Sequence, residues 1–304
     1  MSQLKFAPEV AEALHEGRPV VALESTVISH GLPWPENLAL AAKLEGLVRE
    51  HGATPATIAI IAGQPKVGLS ANELEQLADG KTPVMKISRR DFGVAIARKA
   101  YGATTVAATM IMAHKAGIAV FATGGIGGVH LGAAMDISAD LPELSQTPVA
   151  VVCAGAKSIL DLPRTLEWLE TFGVPVIGYR TSEFPAFYIP SSGLKLEARA
   201  DSPTEAAAMI DAHWGFGLQS GVLVTVPVPT ESAMDADKVQ RDIAQALHEA
   251  DTQKISGKET TPFLLGRLVE ISGGETLRAN LALLEQNAVV AAQIAVELAN
   301  RKTG

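Results

Sequence analysis

The sequence predicts an α/β protein with a three-layer α/β/α architecture and a mostly parallel central sheet. Short apolar runs, typical of strands buried on both faces, alternate along the chain with longer stretches of helical periodicity. Hydrophobic residues make up 47% of the 304 residues, which suffices for a large core and excludes a disordered chain. Because no shift of composition marks a boundary, we expect a single α/β domain over residues 1–304.

The predicted elements follow from these two periodicities. Strands are predicted at 20–25, 56–63, 84–88, 118–123, 149–155, 174–179 and 222–228, where apolar residues run continuously. Helices are predicted at 36–51, 70–79, 91–101, 105–116, 157–172, 202–217, 234–250, 261–272 and 275–301, where apolar residues recur every three or four positions. The segment 182–200 contains several turn formers, so we expect it to be an excursion.

Charge and cysteine content restrict the partners and the compartment. The net charge is −8, so the overall field does not attract nucleic acid or an anionic membrane, although local cations can hold a small anionic substrate. The apolar stretches fall short of the ~18 residues that span a bilayer or are interrupted. A single cysteine, Cys153, and the absence of a signal-peptide pattern favour the cytoplasm.

A glycine-rich segment follows the strand predicted at 118–123. Residues 123–130 read TGGIGGVH, and such glycines let the backbone approach a ligand and present N–H groups to it. The alternative is a tight turn between strand and loop. The segment lacks the GxGxxG spacing of dinucleotide-binding proteins and the GK[ST] of a Walker loop.

Cations and carboxylates mark two further candidate sites. Lys86, Arg89 and Arg90 lie where a predicted strand meets a helix, an arrangement suited to phosphate, unless the arginines are solvated or paired with acids. Asp136 and Asp140 are spaced to offer oxygen ligands to Mg²⁺ or Mn²⁺. Alternatively, Asp136 or the neighbouring serine at 138 caps the next helix.

Two residues are candidates for acid and nucleophile. Glu24 lies in an apolar run, where burial raises the pKa of a carboxyl group and suits it to donate a proton, unless it is simply a buried acid held by a partner. Lys157 begins a predicted helix, where the helix dipole should lower the pKa of its amine, unless it is a surface lysine. His30 and His130 are candidate acid–base groups or metal ligands, and Cys153 reads as a core residue.

These segments together resemble the pseudouridine-5'-phosphate glycosidases and the related indigoidine-synthase A-like proteins. The resemblance extends from about residue 20 to 290 and rests on these stretches: VALESTVISHGLPWPEN, GATPATIAIIAG, KVGLS, KISRRD, GATTVAATM, FATGGIGGVH, DISADL, VVCAGAKSILDL, ETFGVPVIGY, GKETTPFLL and GGETLRAN. It implies a lyase-type catalytic domain that reversibly cleaves the carbon–carbon glycosidic bond of pseudouridine 5'-phosphate to uracil and ribose 5-phosphate. It also implies one Mn²⁺ per subunit and a homotrimer.

The resemblance assigns a role to each matching residue. Lys157 in AGAKS matches the lysine that attacks C1' and forms an imine, Glu24 in ALEST matches the proton donor, and Asp136 in DISADL matches the metal ligand. The remaining matches imply contacts to the ribose phosphate or the base, at Lys86, Val106, Thr123, Gly125, His130, Ser138, Ala139, Asp140 and Asn280.

One loop departs from the family pattern HRGAExxxDISADL. The chain reads HLGAAMDISADL from His130, so it lacks the Arg and the Glu and is about two residues shorter. Two alternatives to the glycosidase remain open from sequence. One is an enzyme of the same fold that acts on another phosphorylated sugar or C-nucleoside, and the other is a non-catalytic regulator that binds sugar phosphates.

Overall fold

The computed structural model describes residues 4–131, 135–255 and 260–303. Its strands, in chain order, are β1 (Lys5–Phe6), β2 (Val20–Leu23), β3 (Thr54–Ile61), β4 (Gln64–Val67), β5 (Val84–Ile87), β6 (Tyr101–Thr104), β7 (Val120–Ala122), β8 (Val129–His130), β9 (Ala150–Cys153), β10 (Leu160–Asp161), β11 (Val176–Tyr179), β12 (Ala198–Ala200) and β13 (Val222–Thr225). Its helices are α1 (Pro8–His15), α2 (Glu36–Glu50), α3 (Ala71–Ala78), α4 (Phe92–Ala97), α5 (Val106–Ala116), α6 (Asp140–Leu144), α7 (Leu162–Thr171), α8 (Pro203–Gly215), α9 (Ala236–Thr252), α10 (Thr260–Ile271) and α11 (Glu275–Thr303).

The central sheet is mostly parallel, as the sequence predicts. The seven strands β3-β2-β7-β9-β13-β11-β12 lie side by side in this order, and every neighbouring pair among them is parallel. An antiparallel extension joins through β3, which pairs with β4 and β6. The two short strands β8 and β10 form a separate antiparallel pair. All seven predicted strands have a counterpart in the sheet.

The inner strands are buried because helices flank the sheet. Every residue of β2, β3, β9 and β13 is buried, which explains why these strands are continuous apolar runs rather than alternating ones. Helices α2 and α8 each pack against α11, and α11 also contacts β2, β7 and β9. Helix α5 packs on the sheet together with α6. The α/β fold class is therefore confirmed.

Helix α11 is long and apolar enough, over Glu275–Arg301, to cross a bilayer by length and composition alone. Sequence analysis overlooked this, because it judged the apolar stretches to be too short. More than half of the most apolar 18-residue segment of this helix is buried inside the protein. In the structure this helix covers the sheet through its contacts with β2, β7 and β9.

Three predicted elements differ from the structure. The helix predicted at 91–101 ends at Ala97, and the chain then forms β6, which the sequence reading missed. The helix predicted at 157–172 begins only at Leu162, after the short strand β10. The excursion predicted at 182–200 returns to the sheet at its end, because β12 pairs with β11.

Candidate active site

A cavity of about 590 Å³ opens beyond the carboxyl ends of the parallel strands. This is the place where α/β sheets usually bind ligands. The residues predicted from sequence that line it are Glu24, His30, Lys86, Arg89, Arg90, Val106, Gly125, His130, Asp136, Ser138, Ala139, Asp140, Lys157 and Asn280. The remaining predicted residue, Thr123, is buried behind this wall. The structure thus brings together residues that are up to 256 positions apart in the chain, from Glu24 to Asn280.

The register of the sheet places Glu24 beside Thr123. Leu23 is paired with Ala122 at the ends of β2 and β7, so the next residue of each strand emerges at the same edge. The Thr123 hydroxyl donates a hydrogen bond to Oε1 of Glu24. The polar contact follows directly from strand pairing that the sequence alone does not show.

Burial raises the pKa of Glu24 above the usual range of a glutamate, as the sequence reading expected. The positive charges of Lys157 and Lys86 and the hydrogen bond from Thr123 oppose this rise, whereas the negative charge of Asp140 adds to it. Because desolvation is the largest influence, Glu24 keeps its proton to higher pH than an exposed glutamate. A carboxyl group in this state can act as a general acid.

Lys157 lies on the loop after β9, next to the glycine-rich loop after β7. Its Nζ donates to the Gly125 carbonyl oxygen at 2.5 Å, and its backbone N–H donates to the Ile126 carbonyl at 3.1 Å. Since α7 begins at Leu162, Lys157 is not at a helix N-terminus, and the dipole argument made from sequence is wrong. The glycine loop holds this amine instead.

Glycine is required in that loop because other segments of the protein approach it closely. A Cβ at Gly125 would lie 2.7 Å from the ring of Phe187. A Cβ at Gly127 would lie 2.1 Å from Oγ of Ser138. Real Cβ contacts are not that short, so these glycines allow the loop to pack directly against the segments that line the cavity.

The three cations predicted to form a phosphate site have different surroundings. Arg89 forms two hydrogen bonds of 2.6 and 2.7 Å to the carboxylate of Glu143, which is 1% exposed. The alternative that this arginine is paired with an acid is therefore confirmed. Arg90 is largely exposed, and Lys86 lies on β5 facing the cavity near Glu24.

Asp140 is committed to the backbone of two other segments. One carboxylate oxygen accepts from the N–H of Ala107 in the first turn of α5 at 2.9 Å, and the other accepts from the N–H of Gly127 at 2.8 Å. The side chain of Ser138 accepts from the N–H of Asp140 at 3.2 Å. The DISADL segment thus ties the glycine loop to α5, and the predicted substrate contacts of Ser138, Ala139 and Asp140 stay predictions.

Asp136, which the resemblance predicts to be a metal ligand, presents its carboxylate at the mouth of the cavity. Its side chain is 56% exposed, and its Oδ2 lies 4.0 Å from Nδ1 of His130. Within residues 4–131, 135–255 and 260–303, no group of three or more His, Cys, Asp or Glu side chains gathers around a common point. A single carboxylate still fits Mn²⁺, because such hard cations keep several water ligands. The shortened loop at 131–135 falls largely on residues 132–134, which lie outside the described residues.

Sequence reasoning missed the apolar wall of the cavity and one buried amide. The wall includes Phe187, Pro262, Leu265 and Leu284, of which only 262–265 had a signal, the matching stretch GKETTPFLL. Asn287, on α11, is 1% exposed and donates to the carbonyl oxygens of the glycine loop. His30, one of the two candidate histidines, also lines the cavity and lies on a π-helical turn, Val27–Gly31, a geometry that is frequent at functional sites.

The chain is similar to known proteins over nearly its whole length. A family model described as "Indigoidine synthase A like protein" matches residues 9–297. The chain is 55% identical to the pseudouridine-5'-phosphate glycosidase of Caldanaerobacter subterraneus subsp. tengcongensis, over 97% of this chain and 96% of the relative. It is 56% identical to that of Solibacter usitatus, over 97% and 99%.

Two solved structures share the fold over nearly their whole length. The prealnumycin C-glycosynthase AlnA, in complex with ribulose 5-phosphate, superposes with a TM-score of 0.91 at 41% identity, over 100% of this chain and 99% of that chain. An indigoidine synthase A-like protein from Thermotoga maritima superposes with a TM-score of 0.89 at 38% identity, over 97% and 96%. With a family model matched over almost all of its residues, the chain belongs to the indigoidine synthase A-like family.

Proposed function

We propose that this protein catalyses the reversible cleavage of the carbon–carbon glycosidic bond of pseudouridine 5'-phosphate, with Lys157 as nucleophile and Glu24 as proton donor. The single observation that carries the assignment is geometric. An amine held by the glycine loop and a carboxyl group with a raised pKa line one cavity, at the carboxyl ends of the sheet. A binding protein needs neither group.

Similarity to enzymes supports the activity. Curated relatives at 53–56% identity, matched over nearly the full chain, are named pseudouridine-5'-phosphate glycosidases. The chain is an enzyme of this kind that acts on a small sugar phosphate. The alternative of a non-catalytic regulator, left open by the sequence, has no support among these relatives.

The bond to be broken explains why a nucleophile is needed. It joins C1' of the ribose to C5 of uracil, and carbon leaves poorly, so direct hydrolysis is difficult. A covalent intermediate divides the barrier into smaller steps. The Lys157 amine attacks C1' while the bond from C1' to the ring oxygen breaks, and Glu24 gives its proton to that oxygen.

The second half of the reaction releases the base. The adduct nitrogen loses a proton to the Glu24 carboxylate, and its lone pair then forms a C1'=N imine as the bond to uracil breaks. The electron pair moves to C5 of uracil, which takes a proton from Glu24. Water hydrolyses the imine to ribose 5-phosphate and restores the Lys157 amine.

The other residues bind and orient the substrate in this proposal. Lys86 pairs with the 5'-phosphate together with the backbone at Val106, and Asn280 hydrogen-bonds the base through its amide. Asp136 and water molecules would hold Mn²⁺, which supplies positive charge to nearby oxygen atoms. A homotrimer and a cytoplasmic location are further parts of the proposal, the latter from the single Cys153.

The direct test is incubation with pseudouridine 5'-phosphate and Mn²⁺, with uracil and ribose 5-phosphate both quantified. We expect one uracil per ribose 5-phosphate from the parent protein and from Lys81→Ala, a control at an exposed lysine. Lys157→Ala should release neither. Absence of uracil from the folded parent protein would overturn the proposal.

A second candidate reaction is favoured by one structural neighbour. AlnA is named a C-glycosynthase and was solved with ribulose 5-phosphate. An enzyme of this fold therefore forms a carbon–carbon glycosidic bond to an acceptor other than uracil. Incubating this protein with ribose 5-phosphate and a series of aromatic acceptors, uracil among them, separates the two: the proposed function predicts product with uracil above all others.

A further inference from the structure

Asn287 lies on the face of α11 that covers the glycine loop. It is 1% exposed, and its Nδ2 donates to the carbonyl oxygen of Thr123 at 2.8 Å and to that of Gly124 at 3.4 Å. Asn280 lies about two helical turns earlier on the same helix and lines the cavity. One face of α11 therefore contacts both the cavity and the backbone beneath it.

The two carbonyl groups that Asn287 holds adjoin both proposed reacting groups. Thr123 is 1% exposed, and its hydroxyl donates to Glu24. The carbonyl of the residue after Gly124, Gly125, accepts from the Lys157 amine. A shift of the backbone at 123–124 would thus move the partners of the acid and of the nucleophile together.

The amide of Asn287 is present for its donors rather than for its volume. Within the residues that the structure describes, its buried Oδ1 accepts no hydrogen bond, and an unpaired buried acceptor costs free energy. A leucine of similar size would avoid that cost if packing were the only requirement. An amide NH₂ can satisfy two neighbouring carbonyl oxygens, and leucine cannot.

We propose that Asn287 is a positioning residue that fixes the backbone at Thr123 and Gly124, so that Glu24 and Lys157 keep the mutual geometry that the reaction needs. The inference rests on the proposed function and deepens it. Asn287 does not line the cavity and acts through Thr123 and the glycine loop. Misplacement of reacting groups by about 1 Å can cost on the order of 100-fold in rate.

The test compares Asn287→Leu with the parent protein and with Ser220→Ala. Ser220 is also buried and donates to a backbone carbonyl, that of Gly173. It precedes β13, so it lies at the amino ends of the parallel strands, whereas the cavity lies at their carboxyl ends. Steady-state kinetics and backbone hydrogen exchange are measured on all three proteins. We expect Asn287→Leu to lower kcat by about 10- to 100-fold with KM within about 3-fold, and Ser220→Ala to leave both near the parent values.

Two further readouts separate positioning from a general loss of stability. In Asn287→Leu, amides at 123–128 should exchange faster, and the alkaline limb of the pH–rate profile should move to higher pH, because a weaker bond from Thr123 removes an influence that lowers the pKa of Glu24. When Thr123→Val is added to Asn287→Leu, the fold-loss of kcat should be smaller than the product of the fold-losses of the two single variants.

Unchanged kcat and unchanged exchange at 123–128 in folded Asn287→Leu would overturn the inference. If that variant does not fold, Asn287→Ser, which keeps one donor, takes its place, and an intermediate loss of kcat is expected. A parent protein that releases no uracil would contradict the proposed function, and the exchange comparison would still decide whether Asn287 fixes the loop.

Discussion

The amine of Lys157 donates a hydrogen bond to the carbonyl oxygen of Gly125, so the proposed nucleophile is held by the backbone of a neighbouring loop. The two loops are also joined by backbone hydrogen bonds, from Ile126 to Gly155 at 3.0 Å and from Lys157 to Ile126 at 3.1 Å. A side chain anchored in this way has few alternative positions. The amine is thus directed before substrate arrives, which reduces the cost of orienting it.

Borohydride in the presence of ribose 5-phosphate should inactivate the enzyme. The open-chain aldehyde should form an imine with Lys157, and reduction would convert this imine to a stable secondary amine. Mass spectrometry should find one reduced ribose phosphate on the peptide that carries Lys157. In Lys157→Ala the label should be absent and turnover should fall by about three orders of magnitude or more, since no other group in the motif replaces the amine.

A label on Lys86, which also lines the cavity, would show that the wrong lysine has been assigned. Lys81→Ala serves as the control for loss of an exposed lysine and should label as the parent does. Near-normal turnover by Lys157→Ala would exclude the covalent route.

Removal of the Lys86 charge should affect the phosphorylated substrate selectively. A dianionic phosphate far from the reacting bond provides binding energy that positions the reacting centre. Lys86→Ala should lower kcat/KM for pseudouridine 5'-phosphate by about 100-fold or more, while unphosphorylated pseudouridine remains a poor substrate for both proteins. Equal rates of the parent protein on nucleoside and nucleotide would contradict this role.

Chelation should test the assignment of Asp136. We expect EDTA to abolish uracil release and Mn²⁺ to restore it, because the carboxylate at the cavity mouth suits a hard cation. Asp136→Ala should lose most activity while its circular dichroism and melting temperature stay close to those of the parent, since the side chain is 56% exposed. Full activity of that variant in EDTA would remove the metal from the proposal.

The pH dependence should report the proton on Glu24. A general acid must be protonated, so activity should fall as pH rises through the raised pKa of Glu24, which Lys157, Lys86 and Asp140 also influence. Because the Thr123 hydroxyl lowers that pKa, Thr123→Val should raise it and move the alkaline limb of kcat/KM to higher pH.

Thr57→Val provides a matched control for Thr123→Val. The Thr57 hydroxyl likewise donates to a carboxylate, that of Glu45 at 2.7 Å, but this pair lies between β3 and α2, and neither residue lines the cavity. Its removal should leave the alkaline limb in place. A shift of equal size in both variants would mean that the limb does not report Glu24.

The sequence predicted the parallel sheet and most of the cavity because both depend on local patterns. Continuous apolar runs such as β2 and β9 occur where a strand is covered on both sides, and a polar residue, Glu24, follows directly after β2. The matching motifs then identified residues as distant as Asn280. The structure places these residues around one cavity, and their roles in catalysis and binding stay predictions.

Contacts between segments that are distant in the chain could not be predicted from local sequence patterns. Nothing local distinguishes Asp140, which binds the backbone of Ala107 and Gly127, from a helix cap or a ligand. The start of α7 was misjudged because β10 pairs with β8, about 30 residues earlier in the chain, and that pairing places Leu160 and Asp161 in a strand instead of a helix. Likewise, Asn287 reads as an ordinary polar residue of a helix until α11 is placed on the sheet.

The close packing at Gly128 leads to a prediction about stability. A Cβ at this position would lie 2.4 Å from Oγ1 and 2.9 Å from Cγ2 of Thr165 on α7. That hydroxyl accepts from the N–H of Val129 at 3.0 Å and donates to Asp161, so it cannot move away freely. Gly128→Ala should therefore lower the free energy of unfolding by about 1–3 kcal/mol.

Gly46→Ala is the matched control for this overpacking. Gly46 lies within α2, and a Cβ there would meet nothing within 4 Å, so alanine should raise the free energy of unfolding by about 0.5–1 kcal/mol through its higher helix propensity. Urea unfolding of both variants gives opposite signs if the explanation is correct. Thr165→Ala added to Gly128→Ala should cost less than the sum of the single changes, because it removes the two atoms that the new Cβ would approach most closely. Additive costs would show that the destabilisation of Gly128→Ala arises in the backbone and not from contact with Thr165.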